Sequence, residues 1–516
     1  FFKCSAKIYL GLGIAFAIIT LVLIPISIFV PVAIQKQFES TLLSNVLITE
    51  WASQQKDHSV YQAWKSSKSE GATPTKLHAY FFNITNSEKV LLGDQPIVDE
   101  IGPYIYTIVK QKDRIKFTTD TFGERIVEYV EWKEFEFDAN ATGDKLKESD
   151  VILNTNLIFQ VHRAFDAAFM SENVYKHYGS VEWTDQTRQF TSKTVKEWLF
   201  GWIDENYDLD PKKYFGGLLG KPVTGPDEIT VGHSMYTGET RIGNAFQYAM
   251  HEGTKGFVPS LLSKTAPMWS TFDASRLVGS DGSRFSPHLN KSNPIHTFVD
   301  EAKRSVPLAY QKEYDLQGLT LYEYRIAKET LQNSTANPDN AQWNMYTTAI
   351  FDLSKQKIMP MVLTKPHFLD CDDSLSTKIT GLSPSRDFHD TILGVHELSG
   401  IVMNATKSLQ IAVNTLGPLA IKSKGLQWFP TMAQNTFQPI AWLSEKGKIS
   451  DGDAKTLKSK ISKVSFLVSL LTIGTSFICC LLLMATAWFL YMAYSLKVAE
   501  VTVIHSGAYG DYQTIQ

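Results

Sequence analysis

The chain has 516 residues, a formal net charge of −3 at pH 7 and a sequence pI of about 6.5. This balanced charge provides no basic field, so the composition excludes a protein that binds nucleic acid through charge alone. Aromatic residues make up 12% of the chain, which excludes an intrinsically disordered protein. The sequence is therefore expected to fold around a large apolar core.

Two long uncharged runs lie near the ends of the chain, at residues 8–34 and 464–496. About twenty apolar residues are enough for a helix to cross a bilayer, so both runs are predicted to be transmembrane helices. The first run is too long for the core of a signal peptide and is predicted to be an uncleaved anchor. Residues 1–7 and 497–516 would then be cytosolic tails, and residues 35–463 would form one luminal or extracellular domain.

The region between the runs changes its hydrophobic period several times. Apolar residues at helical spacing predict helices at 35–65, 157–170 and 191–202. Runs rich in Val, Ile, Tyr and Phe predict strands, at residues 76–84, 104–109, 126–137, 319–326, 349–354 and 358–366. Together the patterns predict an α+β fold, in which helices are inserted as a block into a mostly antiparallel sheet.

The predicted strand at 126–137 is unusual, because neither of its faces is purely apolar. One face would carry Val127, Tyr129, Glu131, Lys133 and Phe135. The other face would carry Ile126, Glu128, Val130, Trp132 and Glu134. The sequence therefore gives this strand no clean buried face.

Cysteines and sequons bear on the compartment of the middle domain. Cys371 is the only cysteine in that domain, so no internal disulfide is expected, and Cys371 is predicted to be a buried small hydrophobe. Cys479 and Cys480 are predicted to be packing residues of the second span.

Five Asn-x-Ser/Thr sequons are the predicted glycosylation sites, and all lie between the spans: Asn83, Asn140, Asn290, Asn333 and Asn404. Their position favours a luminal or extracellular domain.

Motifs that would indicate an enzyme are incomplete in this sequence. Residues 232–236 (GHSMY) begin like a nucleophile elbow but lack the closing glycine. The His-Glu pairs that begin at His251 and His396 lack the second histidine that a zinc-protease helix requires one turn later. The sequence predicts no catalytic residue, no metal site and no cofactor. A membrane-anchored enzyme is kept as an alternative of another class.

Five longer strings follow one another between the two predicted spans. They are interpreted as a Gly-Pro turn before a strand, an aromatic helix, a turn-rich loop, the end of a strand and a segment before the second span. Their positions are 101–106 (IGPYIY), 194–204 (TVKEWLFGWID), 279–287 (GSDGSRFSP), 366–369 (PHFL) and 439–443 (PIAWL). In this order, between two terminal spans, they resemble the class B scavenger receptor family, and the resemblance covers nearly the whole chain.

The resemblance implies a large antiparallel β-barrel ectodomain with an inserted helical cap bundle at about residues 157–214. It further implies a hydrophobic tunnel through the domain that carries lipids, such as a fatty acid, a sterol or a phospholipid. A barrel interior can be apolar and hollow, which suits an insoluble ligand. The cap would bind ligands through one helical face, which carries Leu157, Val161, His162, Phe165 and Phe169.

Charge and histidine bear on what this cap could bind. Residues 157–214 hold seven basic side chains against nine acidic ones, so the cap offers no positive field for polyanionic lipoproteins. Relatives also carry disulfides in the C-terminal half of the domain, which Cys371 alone cannot form. His162 is a candidate pH switch at the edge of the apolar face, and His177 is a weaker one. An ordinary surface role for His162 is the alternative.

The two tails carry candidate signals. Tyr512 and Ile515 form a Tyr-x-x-hydrophobic string similar to the sorting tails of lysosomal membrane glycoproteins, which would bind a clathrin adaptor. Cys4 is a candidate for palmitoylation on the cytosolic side. The sequence thus predicts a glycosylated two-span receptor of the endosomal or lysosomal membrane, with a plasma-membrane pool, that binds or passes lipids. A receptor that sorts a soluble lysosomal hydrolase through its cap is the alternative, and homo-oligomerisation stays open.

Overall fold

The computed structural model describes residues 5–69, 72, 74–157, 160, 189–203, 214–215, 217–220, 223, 225–229, 231–260, 263–343, 348–353, 361–414 and 437–510. The chain divides into two compact units. One unit contains Phe1–Ser44 and Ala454–Gln516, and the other contains Asn45–Asp453.

The helices of the described residues range from one turn to sixty residues. In chain order they are α1 Ala6–Val46, α2 Glu50–Gln54, α3 Ser59–Lys65, α4 Ser87–Leu91, α5 Ala139–Thr142, α6 Val195–Phe200, α7 Lys328–Leu331, α8 Asp373–Ser376, α9 Arg386–His389 and α10 Asp451–Gly510. By length and composition, the candidate membrane spans are α1 and the segment Phe466–Thr502 within α10.

The first unit consists of these two long helices. Most of their apolar side chains are exposed, as expected of helices whose solvent is lipid rather than protein. They contact each other through Phe16 and Phe489, whose rings stack with centroids 5.4 Å apart. Gly13 lies against Leu490, where a β-carbon would come within 2.9 Å of the leucine side chain. Small residues at such positions let two helices approach closely.

The second unit is built on a large antiparallel sheet, as the sequence predicts. The strands are β1 Thr75–Ile84, β2 Val98–Thr119, β3 Arg125–Phe137, β4 Val151–Thr155, β5 Phe190–Thr194, β6 Trp202–Ile203, β7 Tyr214–Phe215, β8 His233–Tyr236, β9 Tyr248–Met250, β10 Pro259–Ser260, β11 Ser263–Pro267, β12 Ile295–Val299, β13 Arg304–Leu316, β14 Leu319–Ile326, β15 Phe351–Asp352, β16 Met361–Thr364, β17 Ile392–His396, β18 Val402–Asn414 and β19 Phe437–Lys448. Thirteen of them form one sheet in the order β12-β13-β14-β17-β18-β19-β1-β2-β3-β8-β9, and β16, which carries β15, also pairs with β18.

The predicted closure of this sheet into a barrel is not established by strand pairing. Among the described residues, no strand pair joins the two ends of the sheet, β9 and β12. Residues 279 and 280 lie between these ends instead. The N–H of Tyr248 in β9 donates to the carbonyl of Gly279 at 2.8 Å, and the N–H of Phe298 in β12 donates to the carbonyl of Ser280 at 2.8 Å. The turn-rich string at 279–287 therefore links the two edges.

The helical expectations hold only in part. The single helix predicted at 35–65 is wrong, because the chain breaks between α1, α2 and α3. Thr49 caps α2 by accepting a hydrogen bond from the N–H of Ala52 at 3.0 Å, and His58 caps α3 by accepting from Tyr61 at 3.2 Å. The helix predicted at 191–202 begins only at Val195. Its start is set by a capping box between Thr194 and Glu197.

Two expectations for strands also need correction. Residues 101–106 do not form a turn before a strand but lie inside β2, where the register against β1 shifts and the Gly102–Pro103 peptide is cis. Gly102 is required there, since a β-carbon would lie 2.7 Å from the carbonyl oxygen of Ala79. The sequence interpretation also missed that residues 439–443 belong to β19. This strand lies in the middle of the sheet, between β18 and β1.

Gly279 offers a test of the link between the sheet edges. A β-carbon at this position would lie 2.0 Å from the carbonyl oxygen of His296, on a backbone with φ of +89°. Gly123 has a similar φ of +82° but open space around it. We expect Gly123→Ala to lower the free energy of unfolding by about 1–2 kcal/mol and Gly279→Ala to lower it by about 4 kcal/mol or more. Thermal unfolding of the purified chain measures both, and equal losses would contradict the assignment.

Candidate ligand-binding site on the core face

One face of the large sheet, called the core face here, carries most of the buried aromatic residues. Because residues paired across antiparallel strands point to the same side, the register places successive pairs on this face. Leu409 pairs with Leu443, Leu443 with Ala79, and Ala79 with Tyr104. The same face continues through β14 and β17 by the pair of Tyr324 and Leu393.

The core face is covered by two clusters of buried side chains. One cluster includes Trp269, Trp343 and Tyr324, and the other includes Trp198 and Tyr104. Trp198 donates its indole N–H to the carbonyl of Ile152 at 3.1 Å, which fixes the second cluster.

Several apolar residues between these clusters are not fully buried. Leu443 is in contact with both clusters and still keeps exposed surface. Leu409, Ala405 and Phe135, also on the core face, are only half-buried. The apolar residues between the two clusters are therefore less completely buried than the clusters themselves, although close packing is the rule in protein interiors.

Charged residues follow the apolar ones toward one end of the same face. Lys407 pairs with Glu445 across β18 and β19, and Lys112 pairs with Glu131 across β2 and β3. The Lys110 ammonium lies 2.7 Å from a Glu445 carboxylate oxygen, and that of Lys112 lies 2.6 Å from Glu131. Lys110 and Glu445 keep 25% and 27% of their side chains exposed.

The pKa values of this first pair reflect burial and strong mutual attraction. Burial alone would lower the pKa of Lys110, but Glu445 and Glu131 outweigh it and the pKa is raised. Burial would raise the pKa of Glu445, but the lysines Lys110 and Lys407 outweigh it and the pKa is lowered. Both groups are therefore charged at neutral pH. They lie deep in the domain but keep exposed surface, so they border a space that water can reach.

The loop at 279–287 lies against this charged end. The backbone carbonyl of Asp281 accepts a hydrogen bond from the ammonium of Lys407 at 3.3 Å. Burial would raise the pKa of the Asp281 carboxyl group, but Lys112, hydrogen bonding from Ser283 and other lysines lower it to about 2. Gly282 leaves room for this approach, since a β-carbon would lie 3.0 Å from the Lys407 nitrogen.

The same loop is anchored to the start of the second unit. The guanidinium of Arg284 donates to the backbone carbonyls of Val46 at 3.3 Å and of Val60 at 3.5 Å. Burial lowers the pKa of Arg284 to about 10, although Asp281 opposes the change. Arg284 therefore remains charged and ties the loop to the first part of the second unit, from Val46 to α3.

The charged end explains the mixed pattern of the strand at 126–137. The core face receives Tyr129, Glu131, Lys133 and Phe135 from this strand. Glu131 is tolerated among the apolar residues because it binds Lys112. On the opposite face, Glu134 lies 3.7 Å from Lys68. The sequence interpretation missed the lysines and carboxylates of this charged end. The signal that could have found them was the presence of charged residues on both faces of the strand at 126–137.

Two pairs of histidines lie close together in the second unit, where His251, His367 and His389 are buried and His233 is half-buried. Nδ1 of His233 lies 3.1 Å from Nδ1 of His251, and Nε2 of His251 lies 2.8 Å from the Asp300 carboxylate. If the Nε2–H of His251 donates to Asp300, its Nδ1 accepts a hydrogen bond from the Nδ1–H of His233. In the second pair, the rings of His367 and His389 stack with centroids 4.3 Å apart.

His251, Glu252 and Asp300 place ligand atoms within 4.8 Å of one another, as a metal site would. However, the ammonium of Lys303 lies 2.8 Å from Glu252 and 2.5 Å from Asp300. The ammonium of Lys303 thus pairs with both carboxylates and offsets one of their two negative charges. The cluster is therefore explained as an ion-pair group that joins the end of β9 to the end of β12.

Most of the predicted cap residues lie outside the described residues. This applies to Val161, His162, Phe165 and Phe169, and also to His177. Leu157 is described, and it is only 1% exposed, packed in the cluster that contains Trp198. Its side chain is not available to a partner. The ligand-binding role of this group of five residues stays a prediction.

The signal residues of the tails, Cys4, Tyr512 and Ile515, also lie outside the described residues, and their roles stay predictions.

Cys371 is free and half-buried, and its thiol donates to the carbonyl of Ala349 at 3.4 Å. Burial raises the pKa of this thiol to about 12, which makes Cys371 unreactive. In α10, Cys479 is buried and Cys480 is exposed.

The five sequons differ in their surroundings. Asn140 and Asn290 are exposed, and Asn290 borders a cleft of about 370 Å³ beside the loop 279–287. Asn83 and Asn333 are half-buried. Asn404 lies within β18, between two partner strands, and its amide nitrogen donates to the Tyr314 hydroxyl at 3.2 Å. The structure thus favours some of these positions for a glycan and disfavours Asn404.

Two apolar terminal helices and a large antiparallel domain between them define a class of membrane proteins anchored at both ends. The sequence model of the CD36 family matches residues 12–490. The chain belongs to the CD36 family. This confirms the predicted likeness to class B scavenger receptors.

Individual relatives are similar at low identity. The chain is 25% identical to lysosome membrane protein 2 of Rattus norvegicus over 452 residues, which cover 85% of this chain and 86% of that protein. It is 26% identical to the Homo sapiens protein of the same name over 403 residues, with coverage of 75% and 78%. It is 25% identical to scavenger receptor class B member 1 of Bos taurus over 455 residues, with coverage of 86% and 81%. These names are those of membrane proteins and receptors, and they confirm the predicted lysosomal membrane location with a plasma-membrane pool.

The buried histidine His389 offers a test of pH dependence. Burial, together with His367, lowers the pKa of His389 from 6.5 to about 4. The folded chain therefore binds this proton more weakly than the unfolded chain, and stability is lost as the pH falls from 6.5 toward 4. We expect His389 to lower the free energy of unfolding by about 2 kcal/mol when the pH falls from 7 to 5.

The measurement compares thermal unfolding at the two pH values in His389→Gln and in the matched variant of the exposed His288, His288→Gln. The first variant should show a smaller loss on acidification than the parent chain. The second should behave like the parent. The same loss in all three proteins would contradict the assignment.

Proposed function

We propose that the protein is a lipid receptor of lysosomal and endosomal membranes, which holds a lipid between the two core clusters and passes it along the core face. The observation that carries this proposal is the partial exposure of Leu443, Leu409 and Phe135 in the middle of the sheet. Apolar side chains that remain accessible inside a domain suit an apolar ligand. The relatives' status as receptors supports the same class of function.

A closed barrel would shield such a ligand from water. The link that residues 279 and 280 make between β9 and β12 supports this enclosure, and so does the ion-pair group of His251, Asp300 and Lys303. The domain boundaries follow from the spans: residues 8–34 and 464–496 cross the membrane, and residues 35–463 lie on the luminal or extracellular side.

Sorting would depend on the last residues of the chain. We propose that Tyr512 and Ile515 bind a clathrin adaptor and direct the receptor to endosomes and lysosomes, and that Cys4 is palmitoylated.

We prefer the lipid receptor over a receptor for a soluble lysosomal hydrolase. The hydrolase receptor would act through the cap face that contains His162 and Phe165, and these residues lie outside the described part of the chain. A stoichiometric protein partner in place of a lipid would favour the hydrolase receptor.

The lipid proposal is tested by extraction of the purified full chain and mass spectrometry. We expect the parent chain to retain about one lipid per protein. Leu443→Trp places a bulky side chain in the space, so it should fold with nearly unchanged stability and retain much less lipid. Thr406→Trp, on the opposite face of the neighbouring strand, is the matched control and should retain the parent amount.

Two results would contradict the lipid proposal. One is a parent chain that carries no lipid. The other is a Leu443→Trp variant that loses stability by about 1–3 kcal/mol, as overpacking of a filled core does, while its lipid content stays unchanged.

The orientation is tested by N-glycanase digestion of the chain expressed in a cell that glycosylates. Asn140→Gln and Asn290→Gln should each remove one step of the mobility shift, because both side chains are exposed. Asn404→Gln should remove none, because its amide nitrogen is bound to Tyr314 within a paired strand. A parent chain with no shift would contradict the luminal orientation.

A further inference from the structure

The cleft of about 370 Å³ beside the loop 279–287 is polar but has no acidic or basic lining residue. Among the described residues that line it, none is Asp, Glu, Lys or Arg. Its polar side chains are amides, hydroxyls and imidazoles, which lie among prolines and aliphatic residues. They include Gln247, Ser286, His288, Asn290, Asn293 and His296. Such a lining suits an uncharged ligand with many hydroxyl groups, because it can exchange hydrogen bonds but has no carboxylate, ammonium or guanidinium to balance a charge.

The imidazole of His296 adds to this uncharged character. The residue is half-buried, and burial lowers the pKa of its ring, with a smaller contribution from the positive charge of Arg276. The ring is therefore uncharged at neutral pH. A neutral imidazole presents one N–H donor and one acceptor nitrogen, so it can both donate to and accept from hydroxyl groups.

The walls of the cleft are held in place by the rest of the domain. The N–H of Phe285 donates to the carbonyl of Gly400 at 2.7 Å, and that of Leu289 donates to the carbonyl of Glu397 at 2.9 Å. On the other side, the Ser286 hydroxyl donates to the carbonyl of Gly243 at 2.8 Å. The cleft is thus formed before a ligand enters, which is usual for small-molecule sites.

One exposed sequon asparagine, Asn290, lines the cleft itself. Its Oδ1 accepts a hydrogen bond from the N–H of Ser292 at 2.9 Å, and a glycan would be attached through the other side-chain atom, Nδ2. The first sugars of that glycan would therefore start beside the cleft. Covalent attachment gives them an effective concentration of at least about millimolar. The exposed sequon asparagine Asn140 does not line this cleft.

Resting on the luminal or extracellular orientation proposed above, we propose that the cleft is a saccharide site that holds the first sugars of the glycan on Asn290. Ligand pockets span about 300–1,000 Å³, so this cleft is near the lower end and fits about one or two sugar rings. Gln247, Asn293 and His296 would exchange hydrogen bonds with the sugar. Because Gly279 and Ser280 also line the cleft, the bound sugar would brace the link between β9 and β12.

The first experiment digests the folded full chain with N-glycanase and follows each site by mass spectrometry of its peptide. We expect the glycan on Asn290 to be released about tenfold more slowly than that on Asn140. This ratio corresponds to an effective concentration about ten times the dissociation constant of the seated sugar. After denaturation both glycans should be released at the same rate.

A second pair of variants separates a seated sugar from a site that is merely hard to reach. Gly243 lines the cleft, and a β-carbon on it would meet no atom within 4 Å, so Gly243→Tyr should fill the cleft without strain. It should raise the release rate at Asn290 to that at Asn140. Gly225 has the same open space but does not line the cleft, so Gly225→Tyr is the matched control and should behave like the parent.

A third measurement asks whether the cleft is occupied by the chain's own glycan or is open to other saccharides. The probe is N,N′-diacetylchitobiose, the disaccharide that begins an N-linked glycan. It should raise the melting temperature of Asn290→Gln by about 1–2 °C, because the cleft is then empty. It should leave the parent chain and Asn140→Gln unchanged, since their cleft is already filled.

The outcomes separate this inference from the proposed function. Equal release from Asn290 and Asn140 in the folded chain, or a slow release that persists in Gly243→Tyr, would overturn the saccharide site and leave the orientation intact. A glycan on Asn140 with none on Asn290 would do the same. An equal effect of the disaccharide on the parent chain and on Asn290→Gln would show that the glycan does not occupy the cleft. A parent chain with no glycan at any site would contradict the proposed orientation itself.

Discussion

The structure depends on the register of the central strands, above all that of β18 against β19. This register pairs Lys407 with Glu445 and Leu409 with Leu443, so the charged and the apolar pairs lie on the same face. A slip of β18 by one residue would turn Lys407 and Leu409 to the other side of the sheet, away from Glu445 and Leu443. The register thus fixes which residues line the core face, and every property proposed for the ligand follows from that set.

The ends of the sheet depend on side chains and on a loop rather than on another strand. The loop at 279–287 binds both edges through its backbone, and a glycine is needed where it passes His296. The group of His251, Asp300 and Lys303 adds a second link between the same edges.

Much of the fold could be predicted from the sequence, because the strongest signals are local. The two uncharged runs predict α1 and α10, and β1, β3 and β14 agree closely with the predicted strands. The sequence interpretation missed that residues 35–65 form three helices rather than one. Apolar residues at helical spacing run through the whole segment, and this signal is stronger in the sequence than the capping residues Thr49 and His58. The strand β19 was missed because it lies just before the last helix and was interpreted only as a family string.

The site was harder to predict than the fold. Charge on both faces of β3 marked the strand as unusual, but its reason lies in Lys112 on another strand and in Asp281 on a distant loop. Such contacts depend on register, which one sequence does not reveal. The cap residues and the tail signals, including His162 and Tyr512, lie outside the described residues and stay predictions from the sequence.

The central claim is that the core face encloses a space that holds a lipid. Electron cryomicroscopy of the full chain in lipid nanodiscs tests it most directly. The account predicts an elongated density along Leu409 and Leu443, between the two core clusters. A map in which the two core clusters pack directly against each other, with no density between them, would contradict it.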